Sequence, residues 1–308
     1  MQALGQLQER RRLSGVAEAL KLRQALLERQ ALAWCDGSLL DIESLSDGRR
    51  RTLVDMAGQP LRWARALDHD IRLDALTEPS ALLDWLGVSD IAPQDGPLAA
   101  LLSYKSRIDI LEAVTRWRDQ LARRAPDPPL LQGARMALLW RQMRPLGRSD
   151  MVAAVLLGDR FGPGRMGLSE GGLVAIGLKA LGPRWLTSQG TAAIQIWLEA
   201  LYVAAQQLLE LEQRLRFIAR RHAEACADLR ASDRLPQVLA LARAQLSVSA
   251  AGVAKRLKIS PQTAHVALSK AEKQGLLHEI TGQASYRRYA LPLPLSLPTP
   301  AVPAPTSH

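Results

Sequence analysis

One stretch in the second half of the chain limits the possible folds more than any other feature. Over residues 191–229, apolar residues recur in alternating steps of four and three, which predicts one long helix with an apolar stripe. Such a stripe is typical either of the central helix of a helical domain or of the seam of a homodimer, and the sequence leaves both open. The stripe comprises Trp197, Leu201, Ala204, Leu208, Leu211, Leu215 and Ile218.

The remainder of the chain also favours helix. Among 308 residues, 47% are hydrophobic and only 4% aromatic, while runs of β-branched residues are almost absent. Three prolines within 124–129 predict a sub-boundary there, and residues 158–172 are glycine-rich and predict a loop. The last 18 residues hold six prolines, so 291–308 is expected to be a disordered tail. Further helices are predicted over about 5–34, 49–67, 77–85, 98–122, 131–143 and 149–157.

The termini and the cysteines indicate a cytoplasmic protein that does not enter a membrane. Cys35 and Cys226 are far apart and lack metal-type spacing, which predicts reduced thiols and neither a disulfide framework nor a zinc site. The first dozen residues are polar and charged, unlike a signal peptide. No run of about 18 apolar residues occurs, so no transmembrane helix is expected.

Residues 233–290 form the most specific pattern in the chain. An amphipathic helix over 235–246 is followed by Ser249, which is placed to cap a second helix over 250–257. After a three-residue turn, Ser260 and Pro261 together mark the start of a third helix, which ends at Gly275. Two strands over 276–280 and 286–290 complete a winged helix-turn-helix with a small β-wing. The predicted fold is therefore mostly α: a multi-helix domain over 1–232 and a winged helix-turn-helix over 233–290.

On the third helix, Ala264, Leu268 and Ala271 fall on one side and are expected to be buried. The other side is polar and basic, as in a recognition helix whose first residues reach base edges while its lysines meet phosphates. The predicted DNA contacts on this helix and on the wing are Ser260, Gln262, Thr263, His265, Ser269, Lys270, Lys273, Arg287 and Arg288.

The distribution of charge agrees with this interpretation. The chain has 40 Lys and Arg against 30 Asp and Glu, a net charge of +10, and residues 233–290 hold nine of these cations and three of the anions. More than half of the excess thus lies in less than a fifth of the chain. The expected partner is double-stranded DNA, bound in a strongly salt-dependent way, and the expected role is transcriptional regulation. A winged helix used only for protein contact is the alternative that helix patterning leaves open.

The segment SVSAAGVAKRLKISPQTAHVALSKAEKQGLLHEITGQASYRRYAL resembles the C-terminal winged helix of many Fic-type proteins. Nearly the whole chain also resembles an uncharacterised helical family of alphaproteobacteria, often plasmid-borne in rhizobia, through ALAWCDGSLLDIESL (31–45) and RPLGRSDMVAAVLL (144–157). Fic-type nucleotidyl transfer uses a His-Pro-Phe motif followed by Gly-Asn-Gly-Arg, whereas 144–148 reads Arg-Pro-Leu-Gly-Arg. Because the histidine and the glycine loop are missing, no enzyme activity is expected. The alternative function is an inactive Fic-like adaptor that binds protein or nucleotide through 1–232, and a second alternative is an active nucleotidyltransferase that uses a different base.

Three other patterns suggest chemistry only weakly. Residues 162–167 spell GxGxxG but follow a predicted helix, whereas a dinucleotide fold needs a preceding strand. Asp68, His69 and Asp70 are adjacent and point in different directions, and His222 with Cys226 makes only two ligands on a helix face. The sequence therefore predicts no catalytic residue, no cofactor and no metal.

Overall fold

The computed structural model describes residues 2–40, 53–56, 60–68, 78–88, 105–123, 127–147, 149–230, 233–282 and 286–293. Within these ranges the protein is mostly helical, as predicted, and has one small three-stranded sheet, of which the sequence predicted only the two wing strands. No helix in the described ranges combines the length and the apolar character that a membrane span requires.

Several of the helices up to residue 226 pack on one long helix. They are α1 (Gln2–Leu13), α2 (Ala17–Cys35), α3 (Arg65–Asp68), α4 (Pro79–Trp85), α5 (Arg107–Ala122), α6 (Pro129–Met143), α7 (Asp150–Phe161), α8 (Leu173–Leu181), α9 (Arg184–Thr187) and α10 (Gly190–Cys226). Short 3-10 turns at Arg62–Ala64 and Pro163–Met166 connect some of them. Helices α1, α2, α6 and α8 all contact α10.

The apolar stripe of α10 is buried within this chain. All seven of its members are at most 5% exposed, because α1, α2, α6 and α8 cover them. The stripe is therefore already occupied within one chain and is not available as a dimer seam, while a homodimer through another surface of 191–229 stays an untested prediction. Of the two alternatives for the stripe, a central helix or a dimer seam, the structure shows the central helix of a helical domain.

Close backbone packing positions α8 against α10. A Cβ at Gly177 would overlap the backbone carbonyl of Ala200, so only glycine allows the two helices to approach this closely. Tryptophans fill the core beside this contact: Trp185 and Trp197 have ring centroids 5.4 Å apart. Six of the seven tryptophans are buried and anchor the core, while Trp34 is 37% exposed.

The single helix predicted over 5–34 is wrong, because α1 ends at Leu13 and α2 begins at Ala17. At the break, the Ser14 hydroxyl donates a 2.6 Å hydrogen bond to the Glu212 carboxylate of α10, and Gly15 follows in the turn. The break allows both helices to pack on α10, a contact between residues 198 positions apart that local sequence does not reveal.

The prediction of a helix over 49–67 is also wrong for most of the residues in this range that the structure describes, which are 53–56 and 60–67. Residues 53–56 and 60–61 are instead irregular apart from two isolated bridges, in which Leu40 pairs with Asp55 and Val54 with Pro60. Pro60 lacks the N–H that a helix interior requires, and helix begins only after it. The shorter helices α4, α6 and α7 lie close to where the sequence predicted them.

The predicted loop over 158–172 is irregular only after residue 166, because α7 continues to Phe161 and a 3-10 turn follows. The carboxylate of Glu28, which is 1% exposed, fixes the remaining residues. Its Oε2 accepts the backbone N–H groups of Glu170 (2.8 Å) and Gly172 (2.9 Å). Burial, and next the nearby Asp159 carboxylate, raise the pKa of Glu28 to about 8.

The predicted tail begins too early, since Leu291 and Leu293 are buried and belong to the core. Residues beyond 293 lie outside the described ranges, as do 98–104 of the predicted helix, 124–126 of the predicted sub-boundary, and His69 with Asp70.

Candidate functional site

The last part of the described chain folds into three helices and a small sheet. These are α11 (Leu235–Arg243), β1 (Val248–Ser249), α12 (Ala250–Leu257), α13 (Pro261–Lys273), β2 (His278–Glu279) and β3 (Arg288–Ala290). The antiparallel sheet has the order β1–β3–β2, with Val248 opposite Tyr289 and His278 opposite Ala290. Helix α13 packs on both α11 and α12, so its orientation is fixed by two neighbours.

Local chemistry sets the angle between α12 and α13. Lys258 ends α12 in the left-handed conformation at φ 54°, which reverses the chain direction within a short turn. The Ser260 hydroxyl then accepts the backbone N–H of Thr263 at 3.1 Å, and Pro261 occupies the first helical position. Ser260 is therefore a structural cap in this structure, although the sequence also placed it among the DNA contacts.

The two faces of α13 differ sharply in exposure. Its buried residues are Ala264, Ala267, Leu268 and Ala271, of which the sequence analysis had missed only Ala267. Successive helical residues are about 100° apart, so the direction opposite this buried face can be calculated. We call the residues closest to that direction the outward line: Gln262, Val266, Ser269 and Lys273.

The other predicted residues of α13 lie beside the outward line. Thr263 and His265 are exposed on either flank. Lys270 is half-buried, and its Nζ lies 2.7 Å from Oδ2 of Asp233. The hydrogen bond from Lys270 is the main reason why the pKa of Asp233 is lowered. Lys270 thus has an intramolecular partner that the sequence analysis did not foresee.

The two predicted wing arginines have different surroundings. Arg287 lies with its Nε 3.6 Å from Oε2 of Glu279, and its side chain is 43% exposed. Arg288 belongs to β3, where it pairs with Ser249 and donates its backbone N–H to the Thr281 hydroxyl at 3.2 Å. Beside them Tyr286 is 86% exposed, with a left-handed backbone at φ 64°. Residues 283–285, within the predicted turn, lie outside the described ranges.

Lys255 and Lys258 are exposed cations that the sequence analysis did not assign to the site. They precede α13 on the α12 side of the turn, while Lys273 lies at the far end of α13. Among the described residues, none of these three lysines has a hydrogen bond or an ion pair. The cation-rich run just before the Ser260 cap was the signal that could have identified the first two.

A buried histidine joins the C-terminal part to the long helix. His222 of α10 is 2% exposed and lies between the Arg243 guanidinium, 3.0 Å from its Nδ1, and the Leu276 carbonyl, 3.1 Å from its Nε2. Because a guanidinium only donates, Nδ1 must accept and Nε2–H must donate to Leu276. Burial chiefly lowers the pKa of His222, and the charges of Arg243 and Arg221 lower it further.

Arg23 of α2 forms a second connection. Its guanidinium donates to the carbonyls of Arg243 (3.1 Å) and Gln245 (3.2 Å), at the carboxyl end of α11. A cation there complements the helix dipole, although burial lowers the pKa of Arg23 to about 10. Together with His222, this contact holds the C-terminal helices against the rest of the protein.

A cleft of about 630 Å³ lies at the other end of α10. Its lining includes Arg141, Arg144, Asp36 and Asp150. The segment compared with the Fic motif lies here as the turn between α6 and α7. Arg144 adopts a left-handed conformation, and the Leu146 N–H donates to Oδ1 of Asp150 at 3.0 Å. In its described residues the segment therefore acts as a tight helix connection.

The other motifs have structural roles in this fold. Within the GxGxxG string, Gly162 follows helix α7, and a Cβ there would lie 2.6 Å from the Gly158 carbonyl. Close packing thus accounts for this glycine. His222 lies on a packed face, and Cys226, one turn further, is half-buried. Within the described ranges, no three His, Cys, Asp or Glu residues converge in a metal-type group.

Comparison of the chain with models of known protein families gives no match, and a search of curated proteins also gives none. The two family resemblances therefore stay predictions, and function has to be inferred from the geometry of the site.

Proposed function

We propose that residues 233–290 are a winged helix-turn-helix that binds double-stranded DNA, and that the protein is a transcriptional regulator. In this proposal α13 is the recognition helix that enters the major groove, and the β2–β3 hairpin is the wing. The order of three helices with strands β1, β2 and β3 in the sequence supports it.

The observation that carries the proposal is the outward line of α13. The helix buries its opposite face against α11 and α12, so the exposed Gln262 and Lys273 and the half-buried Ser269 are held outward on a fixed support. Polar side chains of this kind bind base edges and phosphates, whereas the core of a protein-protein interface is usually poor in lysine.

The exposed lysines support the same conclusion. Lys255 and Lys258 precede the helix and Lys273 ends it, so positive charge is placed along the length of α13. Each phosphate contact of a lysine changes the slope of log K against log salt by about −0.9. We expect Lys270 to contribute less than Lys273, because Asp233 already neutralises it.

The experiment compares two matched double variants of the full chain. Gln262→Ala with Lys273→Ala removes two side chains of the outward line without touching the Ser260 cap or the Lys270 ion pair. Gln206→Ala with Lys179→Ala makes the same chemical changes at exposed positions on α10 and α8. Duplexes of about 25 base pairs, selected from a random pool by the wild-type chain, serve as the DNA.

Fluorescence anisotropy at about 50 mM and 200 mM salt measures the affinities. We expect the first variant to bind at least fivefold more weakly, since a base contact contributes about 1–3 kcal/mol. We also expect its salt slope to be shallower by about 0.9, while the control variant binds like wild type. If no duplex is recovered or bound at low salt, the proposal is wrong, and residues 233–290 are instead the winged helix used only for protein contact that helix patterning left open.

A further inference from the structure

Val266 does not fit the polar character of the surface on which it lies. It is 57% exposed in the middle of α13, on the outward line, with Gln262 one turn before it and Ser269 and Lys273 after it. Valine is a poor helix former, and at this exposure it contributes little to the core. Neither helix formation nor core packing explains a valine at this position.

Gln262 and Val266 are four positions apart and therefore project from the same side of the helix. Their separation along the axis is about 6 Å. Base pairs follow one another every 3.4 Å or so, so the two side chains would contact base pairs one or two steps apart. They form a pair in which one member donates and accepts hydrogen bonds while the other is purely apolar.

On the basis of the proposed function, we propose that Val266 contacts the C5-methyl group of thymine and that Gln262 pairs with a neighbouring adenine. The thymine methyl is the one apolar group on the base edges of the major groove, and glutamine matches the N6 and N7 atoms of adenine in a bidentate manner. The DNA site of this protein therefore contains an A·T-bearing core beneath the middle of α13.

The surroundings of Val266 favour a base over a protein surface. A protein partner would need a wider apolar patch, whereas the rest of the outward line consists of glutamine, serine and lysine. A single apolar side chain among such groups matches a groove floor in which methyl groups are separated by polar edges.

The test uses the full-length chain and the duplexes that it selects from a random pool. Each selected duplex is synthesised again with deoxyuridine in place of thymidine, which removes the methyl group and leaves the pairing with adenine unchanged. Affinities for both forms are measured by anisotropy with wild type, with Val266→Ala, and with Phe217→Ala as a control. Phe217 is 60% exposed on α10, away from the outward line.

We expect wild type and the Phe217 variant to lose about fourfold in affinity for each contacted thymine that becomes uracil. Val266→Ala should bind the thymine form about as weakly as the uracil form, so that its discrimination disappears. If wild type binds both forms equally, or if Val266→Ala keeps the discrimination, the inference is wrong although DNA binding stands. If no duplex is bound at all, the proposed function fails and the inference fails with it.

Discussion

Replacing His222 by phenylalanine is expected to loosen the contact between α10 and the C-terminal helices. The change keeps a ring of similar size but removes both hydrogen bonds, leaving the buried Leu276 carbonyl and the Arg243 guanidinium without their partner. An unsatisfied buried group costs about 1–3 kcal/mol. Arg243 is only half-buried and can turn toward water, so we expect the free energy of unfolding to fall by about 2–4 kcal/mol.

Glutamine at the same position is the matched control. Its amide nitrogen can replace Nε2 as the donor to Leu276, so His222→Gln should recover roughly half of the lost free energy of unfolding. Urea denaturation followed by circular dichroism measures both variants, and a constant slope against urea shows that the transitions are comparable.

The pH dependence gives this prediction a second readout. The pKa of His222 is lower in the folded than in the unfolded state, where it is near 6.5. The contribution of His222 to the free energy of unfolding is therefore fully present above pH 6.5 and is lost as the pH falls below that value. Between pH 7.5 and 5.5 wild type should lose at most about 1.4 kcal/mol more than the phenylalanine variant. A phenylalanine variant as stable as wild type, or the same pH profile for both proteins, would refute the assigned role of His222.

Three further substitutions test the fold by urea denaturation. Gly177→Ala should lower the free energy of unfolding by about 1–3 kcal/mol because its methyl group overlaps the backbone of α10, whereas Gly5→Ala, with open space around it, should not be destabilising. Ser260→Ala should cost about 1 kcal/mol by removing the cap of α13, with faster hydrogen exchange in its first turn as the local sign. Since the folded pKa of Glu28 is raised to about 8, wild-type stability should decrease as pH rises from about 4 to 8, by up to about 1.4 kcal/mol per unit. Glu28→Gln should remove the decrease between pH 6 and 8 and leave the smaller part below it, which comes from the buried Asp159 with its pKa raised to about 6. Unchanged stability in Gly177→Ala or Ser260→Ala, or an unchanged pH profile in Glu28→Gln, would contradict these assignments.

Elements determined by neighbouring residues were predicted well from the sequence. The start of α13 follows from Ser260 and Pro261, and the course of α10 follows from its apolar periodicity, because both signals act within a few residues. The buried face of α13 was likewise found from its spacing, apart from one alanine.

Features determined by distant residues could not be predicted in this way. The break between α1 and α2 depends on the bond from Ser14 to Glu212, and the stripe of α10 is covered by helices that precede it in the sequence. Asp233 pairs with Lys270, which lies 37 positions further along the chain. Lys270, a predicted DNA contact, is therefore half-buried and already has a partner. The two partners of His222, which lie in other elements of the fold, are fixed only by the docking of α10.

In the proposed function, the outward line of α13 lies against duplex DNA. Site-specific photocrosslinking tests it most directly, with p-benzoylphenylalanine placed at Gln262 and, as the control, at the exposed Ile108 of α5. At low salt we predict crosslinks between position 262 and the selected duplex that disappear at high salt, and none from position 108. Equal crosslinking from both positions, or none from position 262 while the duplex is bound, would contradict the assignment of α13 as the recognition helix.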